Sequence, residues 1–156
     1  MTERLLQFIW QFQYFNKNEL TTTADETIHI IHSGQLNKNQ GPDFQNAKIK
    51  IAKTTWAGNV ELHLKTSHWK RHRHEMDKNY NNVILHVVWE NDIKENPIPV
   101  IELKDRVSKI LLERYEELMN ASGFIPCEKM IHYTPEIIWK SWKERLLAER
   151  LIRKAK

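Results

Sequence analysis

The chain has 156 residues, of which 40% are hydrophobic and 28% are charged, and its formal net charge is +4. Six Trp, five Phe and four Tyr are too many aromatic residues for a disordered chain, and four Gly with five Pro exclude collagen-like or low-complexity sequence. With no apolar run of roughly 18 residues, no secretion signal and a single Cys127, we expect a soluble cytoplasmic protein.

The hydrophobic pattern predicts a helix followed by a sheet. Residues 3–15 place Leu5, Phe8, Ile9 and Phe12 on one helical stripe, which Thr2 can cap. Five strands are then predicted where apolar residues alternate with polar ones or run together, at residues 27–32, 47–51, 56–65, 83–89 and 100–103. The run VILHVVW is apolar on both faces and predicts a central strand, whereas two prolines before the last strand place it at an edge.

Two further helices are predicted after the strands. The first begins near Asp105 and ends at Gly123, and the second begins at Thr134-Pro135 and continues to Lys156 without a stop signal. The predicted fold class is therefore α+β, a single mixed sheet flanked by helices. We expect an α+β domain over residues 1–133 and a basic C-terminal helix over residues 134–156. That helix would begin a truncated further region and pack on it, or on a second copy.

The positive charge is concentrated in two segments. Across residues 65–78 five basic residues oppose two acidic ones, a local charge of +3, and across residues 140–156 seven oppose two, a charge of +5. The remainder of the chain is mildly acidic, at −4. Such segments are typical of a surface that binds nucleic acid, although solvated loops and helix faces also carry similar charge. In the first segment Lys70, Arg71 and Arg73 are the candidate phosphate-contacting residues.

Two carboxylates are predicted to meet at one rim of the sheet. Asp43 precedes one strand and Glu61 lies on the next, so antiparallel pairing brings them together. Paired carboxylates provide the oxygen ligands that Mg²⁺ prefers. His63 and Lys65 share the face of Glu61, because side chains alternate along a strand. His63 could position or deprotonate a water, and Lys65 could contact a scissile phosphate.

Histidines offer a different metal site. Five of the eight histidines fall within residues 63–86. His63, His72, His74 and His86 could ligate Zn²⁺ or Fe, although neither an HExxH spacing nor a cysteine accompanies them. The same residues also fit surface positions or, for His86 in its apolar run, a hydrogen-bonded core position.

One motif resembles a nuclease active site. Pro42-Asp43 followed by Glu61-x-His63 resembles the pattern of the PD-(D/E)XK nuclease superfamily, and the order of helix, strands and helix is similar to that fold. The resemblance implies a restriction-endonuclease-like core and a Mg²⁺-dependent nuclease, in which Gln7 or Gln11 of the first helix completes the site. The chain departs from the superfamily at His63, where the pattern has Lys.

The whole chain resembles a bacterial family of unknown function, number 2851 in the series of such domains. The motifs that carry this resemblance are Gly41-Pro42-Asp43-Phe44, Gly58, Val60-Glu61-x-His63, Ser67-x-Trp69, His72-x-His74, Tyr80-Asn81-Asn82-Val83 and His86-Val87-Val88. Members of that family continue past this C-terminus, which agrees with the last helix having no stop signal. The resemblance implies that the polar residues belong to the family pattern, but it names no activity.

Three functions follow from these patterns. The first is a Mg²⁺-dependent phosphodiesterase on nucleic acid, using Asp43, Glu61, His63 and Lys65. The second is a non-catalytic module that binds nucleic acid or a protein, with Trp69 among its stacking residues. The third is a transition-metal hydrolase built on the clustered histidines. Metal binding, cleavage and the salt dependence of binding separate the three.

Overall fold

The computed structural model describes residues 1–120 and 128–155 of the chain. It is a mixed α+β structure with one curled mixed sheet and several helices, as the sequence predicts. The chain divides into two units, Met1–Leu112 and Glu113–Lys156. Among the helices that the structure describes, none is long and apolar enough to cross a membrane.

The sheet belongs to the first unit. Its strands are β1 (Ile28–His32), β2 (Gln35–Leu36), β3 (Phe44–Ile51), β4 (Thr54–Lys65), β5 (Val83–Glu90) and β6 (Val100–Glu102). They are ordered β1-β3-β4-β5-β6, and the short β2, which is not among the five predicted strands, also pairs with β3. The pairs that β3 makes are antiparallel, whereas β4 with β5 and β5 with β6 are parallel. The predictions that β5 is central and β6 lies at an edge are confirmed.

The β3–β4 hairpin positions the polar residues of interest. Its register pairs Phe44 with Val60, so the start of β3 lies beside the second half of β4. Val60 and Leu62 are buried, as expected for the core-facing residues of an alternating strand. Glu61 and His63 on the opposite face are buried too, at 6% and 2% exposure. Alternation predicts a solvated face there, so other elements must cover it.

The connection from β4 to β5 is one of those elements, because a parallel pair needs a long crossover. Residues 66–82 form this crossover, which contains a four-residue helix, His68–Arg71, followed by two 3₁₀ turns, His74–Met76 and Lys78–Tyr80. The start of the crossover is anchored where Ser67 donates from its N–H and Oγ to Asp92, at 2.9 and 2.7 Å. This segment carries three of the clustered histidines.

Helix α1 (Glu3–Phe12) is the other covering element. It begins where Thr2 Oγ1 accepts a hydrogen bond from the N–H of Leu5, which confirms the predicted cap. Its buried residues are Leu5, Leu6, Ile9 and Trp10. The expected stripe through Phe8 and Phe12 is therefore wrong, because these rings are 44% and 52% exposed. The helix is rotated so that Trp10 reaches the carbonyl of Ser33, at 3.0 Å.

The remaining helices follow the sheet. The four-residue helix of the crossover is α2, and it is followed by α3 (Lys109–Met119), α4 (Glu128–Ile131) and α5 (Glu136–Lys154). In α5 the apolar residues Ile137, Trp142 and Leu147 are exposed, at 72%, 61% and 60%. The predicted helix end at Gly123, the single Cys127 and the terminal Lys156 lie outside the described residues.

Candidate functional site

Asp43 and Glu61 lie side by side at the rim of the sheet. The backbone N–H of Asp43 donates to Glu61 Oε2 at 3.0 Å, and the N–H of Leu62 donates to Asp43 Oδ2 at 3.1 Å. Through these two bonds, each carboxylate accepts a hydrogen bond from the backbone on the other side of the hairpin. The structure thus brings together the two acids that the strand pairing predicts will meet.

Helix α1 completes this part of the site through Gln7. Its Nε2 donates to Asp43 Oδ1 at 2.8 Å, so both oxygens of Asp43 are already hydrogen-bonded. Of the two glutamines considered from the sequence, Gln7 is the one that contacts Asp43, while Gln11 is exposed. Burial is the main cause that raises the pKa values of both carboxyls, and the negative charge of Glu3, one turn earlier in the helix, acts in the same direction.

Three histidines converge beside Glu61. Nε2 of His63 lies 3.1 Å from Nδ1 of His72 and 3.4 Å from Nε2 of His74. Oε1 of Glu61 lies 3.6 Å from Nε2 of His63 and 3.5 Å from Nε2 of His74. The three ring nitrogens all lie within 4.8 Å of one another, which is close enough for one metal ion to contact them together. Glu61 therefore faces Asp43 with one oxygen and the histidines with the other.

His86 occupies a different position from the other candidate ligands. Its Nε2 lies 2.9 Å from Nδ1 of His63, on the ring nitrogen that does not face His72 and His74. It is 1% exposed on the central strand β5, and the ring of Trp69 packs against it at 5.3 Å. His86 is therefore a buried partner of His63 and lies behind the group formed by the other three.

Burial sets the charge state of the two acids. Desolvation, followed by the nearby charge of Asp43, raises the pKa of Glu61 to about 8. Desolvation also raises the pKa of Asp43 to about 6, against the lowering effect of its hydrogen bonds with Leu62 and Gln7. Removing two carboxylates from water in one place favours a bound proton or a bound cation.

The same burial keeps the histidines neutral. Desolvation, followed by the neighbouring imidazoles, lowers the pKa of His63 to about 2 and that of His86 to about 3. Desolvation also lowers the pKa of His74, which is the most exposed of the three buried histidines His63, His74 and His86. Neutral imidazole is the form that binds metal ions, so no proton has to be removed before these rings can ligate one.

The basic residues predicted to contact phosphate are exposed. Lys70, Arg71 and Arg73 lie in the crossover on either side of His72, and each is solvent-exposed. Lys65 is exposed at the end of β4, opposite Glu90 in the register. The pKa of Asp92 is lowered because hydrogen bonds from Ser67 and, after them, the charge of Lys65 together outweigh the desolvation that raises it.

A family model covers this whole arrangement. The model described as "Protein of unknown function (DUF2851)" matches residues 3–156. The chain belongs to this family. No curated protein and no solved structure matches the chain. Family membership therefore confirms the resemblance seen in the sequence, while the chemistry must be argued from the site of this DUF2851 chain itself.

Local sequence patterns did not predict how Tyr80, His68 and Trp69 pack around the site. Tyr80 stacks on His74 with ring centroids 3.8 Å apart, and desolvation raises its pKa to about 12. His68 Nδ1 lies 3.8 Å from Glu3 Oε1, beyond hydrogen-bond distance. Trp69 is 6% exposed, so it packs against the histidines and does not present its ring to a base. The sequence features that could have pointed to these residues are the motif Ser67-x-Trp69 and Tyr80, which both belong to the family pattern.

Proposed function

We propose that this chain is a metal-dependent phosphodiesterase that acts on nucleic acid. The observation that carries the proposal is the 3.0 Å hydrogen bond from Asp43 N–H to Glu61 Oε2, which holds two acids of neighbouring strands beside each other. Paired buried carboxylates favour a divalent cation, which is Mg²⁺ if only their oxygens bind it. When bound, such an ion supplies positive charge to a phosphodiester under attack and makes a water more acidic.

The other residues of the site have roles that fit this reaction. Gln7 orients Asp43 through its hydrogen bond to Oδ1. His63 is neutral near pH 7, so it would position a water, and it would not supply the fixed charge of the Lys in the PD-(D/E)XK pattern. Lys65, two residues further along β4, would contact the phosphate in its place.

The strand arrangement supports a restriction-endonuclease-like core as part of this proposal. Helix α1 precedes the antiparallel strands β1, β3 and β4, and β5 then adds in parallel to β4. Asp43 precedes β3, and Glu61 and His63 lie on β4, which is the placement that the resemblance to the PD-(D/E)XK superfamily implies.

The charge around the site favours an anionic substrate. Lys70, Arg71 and Arg73 are exposed in the same crossover that supplies His72 and His74. Basic side chains in such a place would neutralise backbone phosphates of a nucleic acid, and the release of counterions would make binding weaken steeply with salt.

Cleavage assays with matched variants test the proposal. The 156-residue chain is incubated with single- and double-stranded DNA and with RNA, in EDTA or with Mg²⁺, Mn²⁺ or Zn²⁺ added. We expect cleavage only with a metal ion, and a loss of roughly 100-fold or more in Asp43→Asn, because the acid at the rim becomes a neutral amide. Asp25→Asn is the matched control, since Asp25 is an exposed turn residue with φ 61° that Asn also tolerates.

The outcomes separate the functions considered from the sequence. Cleavage that persists in Asp43→Asn, or in EDTA, contradicts the proposed site. Salt-sensitive binding without cleavage under any metal condition contradicts the enzyme and selects a non-catalytic binding module.

A further inference from the structure

We propose that His63, His72, His74 and Glu61 form a tetrahedral binding site for a transition-metal ion such as Zn²⁺. This metal site shares Glu61 and His63 with the proposed phosphodiesterase site, and it rests on the proposed function in that respect only. It adds the class of metal ion that these residues would bind. Three of the four ligand atoms are ring nitrogens that all lie within 4.8 Å of one another, on His63, His72 and His74. The fourth is Oε1 of Glu61, which lies 3.6 Å from Nε2 of His63 and 3.5 Å from Nε2 of His74.

Four of the six distances between these atoms are close to those of a tetrahedron. Metal–ligand bonds of about 2.0–2.1 Å place the ligand atoms of a tetrahedral ion roughly 3.3–3.4 Å apart. Four of the separations, all of which involve His63 or His74, are 3.1, 3.4, 3.5 and 3.6 Å. These four separations therefore match those of a coordination shell.

Hydrogen bonds alone do not satisfy this arrangement. A neutral imidazole carries one N–H, yet Nε2 of His63 faces His72, His74 and Glu61 at once. Its other nitrogen already faces His86. In the part of the chain that the structure describes, no lysine or arginine forms an ion pair with Glu61. A metal ion would satisfy the three nitrogens and the carboxylate oxygen together.

The chain is bent to make the cluster. Arg73, between two of the ligands, adopts a left-handed backbone conformation with φ 57°. Such a conformation is costly for a residue with a Cβ and is found chiefly where the surrounding structure or a function requires it. Here it lets His72 and His74 both approach His63, while Arg73 itself is exposed.

The donor set selects the class of ion. Imidazole nitrogens suit Zn²⁺, Fe²⁺, Cu²⁺ and Ni²⁺, whereas Mg²⁺ prefers oxygens and retains several waters. Three nitrogens with one carboxylate therefore favour a transition metal over Mg²⁺. His72 is exposed, so the ion would be reached from the side of the crossover.

His86 supports the site without ligating the ion. With Nε2 of His63 on the metal, its Nδ1–H would donate to Nε2 of His86, 2.9 Å away. Ligating histidines commonly donate their second N–H in this way, and loss of the acceptor weakens metal binding by about 10–100-fold. His86 is thus a positioning residue, which refines the four-histidine site considered from the sequence.

Metal titration of the full chain tests the inference. Metal-free protein is titrated calorimetrically with Zn²⁺ and, separately, with Mg²⁺, and Co²⁺ is added as a spectroscopic probe. We expect one Zn²⁺ per chain and the intense visible absorption of tetrahedral Co²⁺. His72→Ala should weaken Zn²⁺ binding by about 100-fold, and because His72 is exposed, this variant should remain folded. His29→Ala, an exposed histidine on β1, is the matched control and should bind as the wild type does.

A second pair of variants separates positioning from packing at His86. His86→Leu should weaken Zn²⁺ binding by about 10–100-fold and alter the Co²⁺ spectrum, while His86→Gln, which retains an acceptor, should restore both. Equal effects of the two variants would mean that His86 only fills space.

The failure of this inference is distinct from the failure of the proposed function. No Zn²⁺ binding, or binding that His72→Ala leaves unchanged, overturns the transition-metal site, even if Mg²⁺-dependent cleavage is observed. Zn²⁺ binding with the expected variant effects upholds the site even if no nucleic acid is cleaved.

Discussion

Replacing Glu61 with Gln should remove a loss of stability that the metal-free chain shows as the pH rises from 6.5 to 8. The direction follows from where the proton is held. The pKa of Glu61 is about 8 in the folded state, against an ordinary value of 4.5, so between these values the folded state keeps a proton that the unfolded state has released. Stability from this group is complete below pH 4.5 and is lost as the pH rises through 8.

Between pH 6.5 and 8, the other buried groups contribute little to the change in the free energy of unfolding. The pKa values of His63 and His86, about 2 and 3, lie below the ordinary 6.5, so these rings cost stability only as the pH falls below 6.5. Asp43 titrates at about 6 and is mostly ionised above that pH. Glu61 is thus the group whose folded state binds the extra proton between pH 6.5 and 8.

The size of the fall in the free energy of unfolding follows from the width of the pH range. One pKa unit corresponds to about 1.4 kcal/mol, so the free energy of unfolding should fall by roughly 2 kcal/mol across this range. For a chain of this size, that change lowers Tm by roughly 4–8 °C. The 6% exposure of Glu61 means that solvent screens the effect only weakly.

Urea denaturation followed by Trp fluorescence, in EDTA and at several pH values from 6.5 to 8, measures this loss. Glu61→Gln should give an unfolding free energy that is nearly constant over the range, because Gln does not titrate. Glu102→Gln, on the edge strand β6, should retain the loss seen in the wild type. A wild-type chain with constant stability from pH 6.5 to 8, or an equal fall in Glu61→Gln, would refute the assignment of a buried protonated carboxyl.

Two predictions concern the scaffold. Gly58→Ala should destabilise the chain by about 1–3 kcal/mol in urea denaturation, because a Cβ there would lie 2.6 Å from the carbonyl oxygen of Asn82 and 2.5 Å from Ile84 Cγ2. Adding Ile84→Ala should recover only part of the loss, and full recovery would show that the carbonyl contact is harmless. Arg106→Ala should cost roughly 1–2 kcal/mol, because its guanidinium donates to three backbone carbonyls within residues 16–19. Arg106→Lys should not restore this loss in thermal denaturation, since an ammonium lacks the planar fork, and equal stability of Lys and Arg would contradict that reason.

Local sequence patterns predict one half of the candidate site. Alternation places Glu61 and His63 on one face of β4, and the short connection between β3 and β4 makes their pairing antiparallel. Those two facts together bring Asp43 to Glu61 without any knowledge of the rest of the fold. Likewise, the continuous apolar run of β5 predicts a strand with neighbours on both sides.

Local patterns do not predict the other half. Which face of α1 is buried depends on the sheet beneath it, so Trp10 is buried where the helical stripe favours Phe12. The parallel pairing of β4 with β5 sets His86 beside the ring of His63, across 23 residues of sequence. Pairing between strands so far apart is a property of the whole sheet.

The sequence by itself determined the α+β class, the strand that carries Glu61 and His63, and the approach of Asp43, because each depends on short-range periodicity and one tight connection. Only the tertiary structure decided that His72 and His74 meet His63 and that Glu61 is buried among them. The reason is physical: the crossover follows no periodic pattern, and its path depends on an anchor at Asp92 and a left-handed Arg73. The donor set that favours a transition metal therefore exists only in the folded chain.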